Sequence, residues 1–124
     1  MYRQLIISGA VCALLGVMLG AFAAHGLKHS LDDYHKAIWQ TAVEYQMYHA
    51  LGLILIGLLS HSLKINLSRP GWLMLTGILL FSGSLYLLSL SGIKTFGMIT
   101  PIGGSCFLIA WGWLAIKVFR HTEV

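Results

Sequence analysis

The sequence predicts an all-α membrane protein, a four-transmembrane-helix bundle that forms one integral membrane domain over residues 1–124. The first observation is composition: 57% of the residues are apolar and only 10% are charged, whereas a soluble domain carries about 25% charged residues. The second is the presence of four apolar runs of about 20 residues. At about 1.5 Å per residue, each run spans the ~30 Å hydrocarbon core of a bilayer.

The four runs predict helices with the following bounds: about 5–24, about 31–62 with its membrane part at about 41–60, about 70–91, and about 101–119. The first run has an alternative interpretation as a signal peptide, because Arg3 precedes it and Ala21, Phe22 and Ala23 resemble a cleavage site. However, it is longer than the usual ~7–15 apolar residues of such a peptide. We therefore expect a retained helix.

The second helix is predicted to begin near Leu31, well before the membrane. Ser30 is the expected cap, and Asp32 and Asp33 would lie in the first turn, where acidic side chains complement the helix dipole. The outer turns carry aromatic residues that suit a membrane interface; these are Tyr34, Trp39 and Tyr45.

The third and fourth helices have their own start signals. Ser68 can cap the third helix, with Pro70 in its first turn. Thr100 can cap the fourth, with Pro101 at its first position. Residues 91–100 are then a short hairpin loop that contains glycine.

Basic residues flank the apolar runs and set the predicted orientation. One side holds five of them, Arg3, Lys64, Arg69, Lys117 and Arg120, and the other holds three, Lys28, Lys36 and Lys94. The positive-inside rule then places both termini in the cytoplasm. The formal net charge is +4 at pH 7, but the basic residues form no patch and have no interleaved aromatic residues. The charge therefore does not indicate nucleic-acid binding. Cys12 and Cys106 lie inside apolar runs, as buried small residues do, and predict no disulfide.

A ladder of small residues marks one face of the first helix. Its members recur every four residues: Ser8, Cys12, Gly16, Gly20 and Ala24. Small side chains at this spacing let another helix backbone approach closely. We expect a packing face, either within one chain or between copies.

The second helix divides into two arcs when its residues are placed 100° apart. The apolar arc contains Trp39, Val43, Met47, Ala50 and Ile54, and the polar arc contains Thr41, Glu44, Tyr45, Tyr48, His49 and Gly52. We expect the apolar arc to face lipid and the polar arc to face the interior of the bundle.

A polar cluster is the candidate functional site; it comprises His25, Glu44, Tyr45, Tyr48 and His49. An acid inside the membrane costs a few kcal/mol, so Glu44 is a functional hypothesis by default. The alternative is a carboxyl near the interface that bonds to Tyr48 or to another helix. His49 is either a proton relay with Glu44 or His25, or a neutral imidazole that bonds between helices.

Catalytic and metal signatures are absent from the sequence. It has no phosphate-binding glycine loop, no HExxH, no CxxC and no nucleophile elbow. His25, His29 and His35, with the nearby aspartates, match no zinc spacing and indicate a solvated loop. We therefore predict no catalytic residue, no metal and no cofactor, with haem between His25 and His49 as an alternative.

Two stretches, "LGAFAAHGLK" at residues 19–28 and "WQTAVEYQMYHALGL" at residues 39–53, resemble the YgdD-like family of small bacterial inner-membrane proteins. That family has no known function and has small eukaryotic transmembrane relatives. Ala23 stands where the family pattern has glycine, and the second half matches only in apolar character apart from "TPIGG" at residues 100–104. The resemblance implies a multi-pass protein of the bacterial inner membrane and transfers no catalytic residue. It singles out His25, Glu44, Tyr45 and His49.

The leading functional hypothesis is a non-catalytic structural or accessory membrane protein. Its partners would be the lipid bilayer and either further copies of itself or another membrane protein. One alternative is a proton-coupled or ion-conducting role through Glu44 and His49. The other is a small haem-binding or metal-binding membrane protein.

Overall fold

A computed structural model describes residues 2–121 of the chain. Four long helices follow one another: α1 (Tyr2–His25), α2 (Asp33–Leu63), α3 (Ser68–Ser91) and α4 (Thr100–Arg120). A short 3-10 turn, Lys94–Met98, lies between α3 and α4. Each long helix is long and apolar enough to cross a membrane. The described residues contain no strand, and the predicted fold class is confirmed.

Each helix packs mainly along its neighbour in sequence, so α2 and α3 lie in the middle of the bundle and α1 and α4 at its edges. α2 also meets α4 through side chains, because the His49 ring stacks on Phe107. Apolar side chains fill the centre, and the larger of two clusters includes Leu5, Leu53 and Met74. The central position of α2 means that it has two buried sides.

Glycines permit the close approach of α1 and α2. A Cβ added to Gly9 would lie 2.6 Å from the Ala50 carbonyl oxygen, and one added to Gly16 would lie 2.5 Å from the Met47 sulfur. The backbones are therefore nearer than any larger residue allows, as expected for helices that associate without a hydrophobic driving force. Gly103 plays the same part between α4 and Phe81 of α3.

The start of α2 differs from the prediction. Asp32, not Ser30, is the N-cap, and its carboxylate accepts a 2.8 Å hydrogen bond from the backbone N–H of His35. Ser30 lies instead in the turns that follow α1, where its N–H donates to the Leu27 carbonyl. The pKa of the Asp32 carboxyl lies below its ordinary value of 3.8, first because of that backbone hydrogen bond and then because of the His35 ring.

The other two predicted caps are also wrong. Ser68 and Thr100 are the first residues of α3 and α4 rather than their side-chain caps. The Asn66 side chain accepts from the Ser68 N–H at 3.0 Å and from its hydroxyl at 2.7 Å. The Thr100 hydroxyl lies 2.6 Å from the Ser84 hydroxyl, so it links α4 to α3. The Ser68 and Thr100 hydroxyls therefore hydrogen-bond to other side chains and not to the backbone N–H groups at the start of their own helices.

Candidate functional site

Gln46 is the centre of a buried polar network that joins three helices. Its side-chain amide donates a 2.8 Å hydrogen bond to the Cys12 carbonyl of α1. Its side-chain oxygen accepts a 2.6 Å hydrogen bond from the Tyr86 hydroxyl of α3. With only 5% of its surface exposed, Gln46 thus has partners for both ends of its amide, as a polar group in hydrocarbon requires.

Further hydrogen bonds extend this network between helices. The Trp39 indole N–H donates to the Leu19 carbonyl at 3.0 Å, which joins α2 to α1. The Ser82 hydroxyl donates to the Ala42 carbonyl at 2.7 Å, which joins α3 to α2. Within residues 2–121, no buried side-chain nitrogen or oxygen lacks a hydrogen-bond partner. The buried polar groups therefore all have partners, and their hydrogen bonds connect the helices.

His49 lies in an aromatic contact between α2 and α4. Its Nδ1 is 2.7 Å from the Tyr45 carbonyl oxygen, and because a carbonyl only accepts, Nδ1 carries the hydrogen of this bond. The ring lies 3.6 Å from the Phe107 ring with an angle of 7° between the planes. His49 is thus held by a hydrogen bond within α2 and by a ring stack on α4.

The same aromatic cluster reaches a third helix. Tyr45 stacks on Phe81 of α3 at 4.7 Å, and Phe81 lies 5.4 Å from Phe107 of α4. Trp111 adds a further contact to His49 at 5.8 Å. These rings bury large apolar surfaces with favourable geometry, so this part of the predicted polar cluster packs the bundle.

Glu44 points away from this interior. It is exposed on the surface of α2, and the hydrogen bond that the structure gives its carboxylate comes from the Gln40 amide at 3.3 Å. Tyr48, also exposed, lies on the same side. The expectation that the polar arc of α2 faces inward is therefore wrong for both residues.

The predicted apolar arc shows the opposite error. Trp39, Val43 and Ala50, expected to face lipid, are 3%, 8% and 0% exposed. The reason is packing: α1 approaches α2 through glycine, and only small or apolar side chains fit between the two backbones. A Cβ on Gly20 would already lie 3.4 Å from Val43.

The five residues of the predicted cluster therefore do not converge. His25 is the exposed last residue of α1, Glu44 and Tyr48 lie on the outer surface of α2, and Tyr45 and His49 belong to the aromatic cluster. No hydrogen bond or ion pair found among residues 2–121 joins Glu44 to His49. In the same part of the chain, no group of three or more metal-ligating side chains is present.

The small-residue ladder meets α2 over part of its length. Cys12 and Gly16 are buried, Ser8 and Gly20 are half-buried, and Ala24 is exposed. A four-residue step exceeds the 3.6-residue turn, so the ladder rotates around the helix by about 40° per step. The close approach to the backbone of α2 is consequently at Gly9, one residue off the ladder, whereas Gly16 meets the Met47 side chain. The contact lies within one chain.

Sequence reasoning missed three residues of the buried network. Gln46 belongs to neither predicted arc of α2, and neither Ser82 nor Tyr86 of α3 is among the predicted site residues. A signal for them exists, because an isolated amide, serine or tyrosine within an apolar run must find a partner or a wet surface. Polarity alone does not distinguish a buried partner from a wet surface.

A groove of about 290 Å³ lies over this network, between α1 and α3. Its walls are mostly apolar, with Gln46, Ser82 and Tyr86 at its base. It opens sideways between two membrane-spanning helices, and its polar groups already bond to one another or to backbone. The groove therefore offers room for a lipid chain rather than a converging reactive site.

Comparison with known proteins identifies the kind of protein. Residues 19–104 match the family described as "Protein of unknown function (DUF423)". A UPF0382 membrane protein of Staphylococcus haemolyticus is 50% identical over 120 residues, 97% of this chain and 98% of the relative. The UPF0382 membrane protein YwdK of Bacillus subtilis is 47% identical over 121 residues, 96% of this chain and 98% of the relative. No solved structure matches. None of these descriptions names an activity; the chain belongs to the DUF423 family, and the relatives reported above are bacterial UPF0382 membrane proteins.

Proposed function

We propose that this protein is a non-catalytic accessory protein of the bacterial cytoplasmic membrane that acts through side-by-side contacts with other membrane polypeptides. The observation that carries the proposal is the distribution of polar groups. Those in the interior, such as Gln46 and Tyr86, bond to one another or to backbone. Glu44 and Tyr48 are directed outward from α2. A transporter or enzyme needs the reverse, with reactive groups facing a cavity inside the bundle.

The orientation with both termini in the cytoplasm is part of the proposal. It is supported by the lysine and arginine count, which makes one end of the bundle more basic. There, the Lys117 amine of α4 donates to the Asn66 carbonyl in the α2–α3 loop at 2.8 Å. An impermeant thiol reagent applied to intact cells should label Lys94→Cys but not Lys64→Cys. The opposite pattern would reverse the orientation.

We also infer that the YgdD-like proteins share this family and its inner-membrane location. The stretches that carry the resemblance, residues 19–28 and 39–53, both fall within the matched range 19–104. These proteins would then share the proposed accessory role, and no catalytic residue is assigned to them.

The proton-coupled alternative is less well supported. A relay needs Glu44 and His49 to be connected, directly or through water, yet they have separate partners on different sides of α2. The haem alternative needs a free nitrogen on each of two converging imidazoles. His25, the exposed last residue of α1, and His49, which stacks on Phe107 of α4, do not converge.

The experiment that tests the proposal is site-specific photo-crosslinking in native membranes. A photo-reactive residue at Leu51 of α2 should yield adducts with polypeptide, while the same residue at Leu79 of α3, which is 65% exposed, should react mainly with lipid. In parallel, liposomes that contain the purified protein should show no more proton leak than empty ones. Lipid adducts alone at both positions, with a proton flux that Glu44→Gln abolishes, would overturn the proposal in favour of transport.

A further inference from the structure

The fold gathers basic side chains at one end of the bundle, although they are scattered along the sequence. This end comprises the start of α1, the end of α2, the start of α3 and the end of α4. Its lysines and arginines are Arg3, Lys64, Arg69, Lys117 and Arg120. Each of them lies in or next to the first or last turn of a helix, so their charges share one level of the bundle.

Acidic side chains are absent from this end within residues 2–121. The acidic residues of that range are Asp32, Asp33 and Glu44. The two aspartates lie at the opposite end, at the start of α2, and Glu44 precedes Lys64 by about 30 Å along α2 at ~1.5 Å per residue. Glu123, the fourth acid of the chain, lies outside the described residues. The five cations therefore have no carboxylate partner in the part of the chain that the structure describes.

A pocket of about 350 Å³ brings two of these cations together, between the last turns of α4 and the α2–α3 loop. Its lining residues are Ile65, Trp113, Ile116, Lys117, Arg120 and His121. The Lys117 amine donates a 2.8 Å hydrogen bond to the Asn66 carbonyl, which fixes α4 against the loop. An ammonium group has three hydrogens, so this bond leaves Lys117 two more to donate. The pocket therefore offers an anion both positive charge and hydrogen-bond donors.

The length of α4 places this pocket at the membrane boundary. α4 has 21 residues, which span about 31 Å at ~1.5 Å per residue and thus about the whole ~30 Å hydrocarbon core. Lys117 and Arg120 lie in its last turn, at the level of the lipid headgroups. Trp113 lies about one turn deeper than Lys117, at the interfacial level where tryptophan is enriched in membrane proteins.

The apolar part of the pocket continues along one side of α4 into the membrane. Ile109, Trp113, Ile116 and Arg120 are spaced by four, three and four residues, so they share that side. Ile109 and Ile116 are 56% and 51% exposed. From Ile109 to Arg120 the helix rises about 16 Å, which is about half of the ~30 Å core and hence the depth of one leaflet. A ligand with an acyl chain and an anionic head matches both parts, whereas a free phosphate matches only the cations.

We propose that this pocket, here termed the basic pocket, binds the headgroup of an anionic phospholipid, with one acyl chain lying along Ile109 and Trp113 of α4. The Arg120 guanidinium can donate two parallel hydrogen bonds to phosphate oxygens, and the Lys117 amine adds a compact positive charge. The His121 imidazole supplies a further N–H donor. Charge complementarity selects the ligand, because a zwitterionic lipid brings a cation of its own to the same place. The proposal does not depend on the accessory role.

The opposite end of the bundle is a poorer site for the same ligand. Its lysines are Lys28, Lys36 and Lys94, but Asp32 and Asp33 lie at the same end. The pKa of the Asp32 carboxyl is lowered first by its hydrogen bonds with His35 and also by the Lys36 charge, so Lys36 already has a carboxylate neighbour. We therefore expect the anionic lipid to prefer the basic pocket.

Quenching of tryptophan by brominated lipids tests the basic pocket in the full-length protein. Bromine on an acyl chain quenches an indole that it touches. The purified protein is placed in vesicles that mix phosphatidylglycerol, which is anionic, with zwitterionic phosphatidylcholine, and either lipid carries the bromine. The quenching that is lost in Trp113→Phe is the signal of Trp113. At about fivefold in affinity per cation, Lys117 and Arg120 should give phosphatidylglycerol roughly a 10–30-fold preference at Trp113.

Matched variants separate the basic pocket from the general charge of this end. Arg120→Gln should reduce the preference about fivefold. Arg69→Gln removes the same charge from an exposed residue at the same end that does not line the pocket. It should change the preference less than about twofold, because salt screens exposed charges that are not in contact with the lipid. Circular dichroism checks that each variant keeps its helix content.

Three results would overturn the proposal. Equal quenching of Trp113 by the two lipids would mean that the pocket does not select an anionic headgroup. Equal losses in Arg120→Gln and Arg69→Gln would mean that the lipid responds to the charge of the whole end. Loss of the preference in inorganic phosphate, but not in chloride at the same ionic strength, would assign the pocket to a soluble anion instead of a lipid.

Discussion

The substitution Gln46→Leu tests whether the buried network holds the bundle together. Leucine has a similar volume to glutamine, so the change removes two interhelical hydrogen bonds without a large cavity. It leaves the Tyr86 hydroxyl without the acceptor that now lies 2.6 Å away. Hydrogen bonds between membrane helices contribute about 0.6 kcal/mol on average and up to about 1.7. We therefore expect the free energy of unfolding to fall by about 1–3 kcal/mol.

The assay is reversible unfolding in mixed micelles, followed by circular dichroism or steric trapping. Gln40→Leu is the matched control, because Gln40 is an exposed glutamine of the same helix, and it should change the free energy of unfolding by less than about 0.5 kcal/mol. A double-mutant cycle with Tyr86→Phe should give a coupling energy of about 0.6–1.7 kcal/mol. A coupling energy near zero, or equal effects of both leucine substitutions, would refute the structural role of Gln46.

Changes at Gly9 and at His49, and the pH dependence caused by Asp32, also have expected results. Gly9→Ala should destabilise the protein by about 1–3 kcal/mol, because its Cβ would meet the Ala50 carbonyl, whereas Gly83→Ala, with open space around it, should be neutral in the same unfolding assay. His49→Ala should cost about 2–4 kcal/mol of unfolding free energy by removing a stacked ring. His49→Phe, which keeps the stack, should cost less, and equal costs would contradict the packing role. Because the pKa of Asp32 is lowered on folding, its stabilisation of the start of α2 should be present above about pH 4 and lost as the pH falls below its lowered value. Hydrogen exchange of the first turn of α2 measures this loss, and no such pH dependence should remain in Asp32→Ala.

The number and approximate positions of the helices were predictable because a bilayer imposes a length. Twenty apolar residues in a row have few alternatives to a transmembrane helix. Each of the four predicted runs corresponds to one helix of the structure, and the short loop before α4 lies where proline and glycine indicated it. Residues 31 and 32, predicted as helical, precede α2, because Asp32 serves as its cap.

The facing of α2 was not predictable from polarity. A helix at the edge of a bundle has one side that faces lipid and one that faces protein. α2 instead has α1 on one side and α3 on another. Which residues are buried is then decided by where glycines allow close approach and where Gln46 finds partners. Val43 and Ala50 are buried because they fit this space, and Glu44 is outside because it does not contribute to it. The polarity of the sequence alone does not show which side of α2 packs against which neighbouring helix.

The candidate site changed for the same reason. The prediction grouped Glu44 with His49 because both lie on the polar arc of the second helix. The structure separates them, since His49 bonds to the Tyr45 carbonyl and stacks on α4. Neither contact could be inferred before the position of α4 was known. Glu44 and Tyr48 therefore form part of the exposed surface of α2 and not part of an internal site.

The central claim is that the outer face of α2, which is the exposed side that carries Glu44, Tyr48 and Leu51, is covered by protein in the membrane. It is tested most directly by the collision rate of a spin label with oxygen, which is high at positions that face lipid. Labels at Tyr48→Cys and Leu51→Cys in native membranes should show low oxygen collision rates, while labels at Ile109→Cys of α4 and Leu79→Cys of α3 should show high ones. Equal, high rates at all four positions would mean that the outer face of α2 meets lipid, and the account would be wrong.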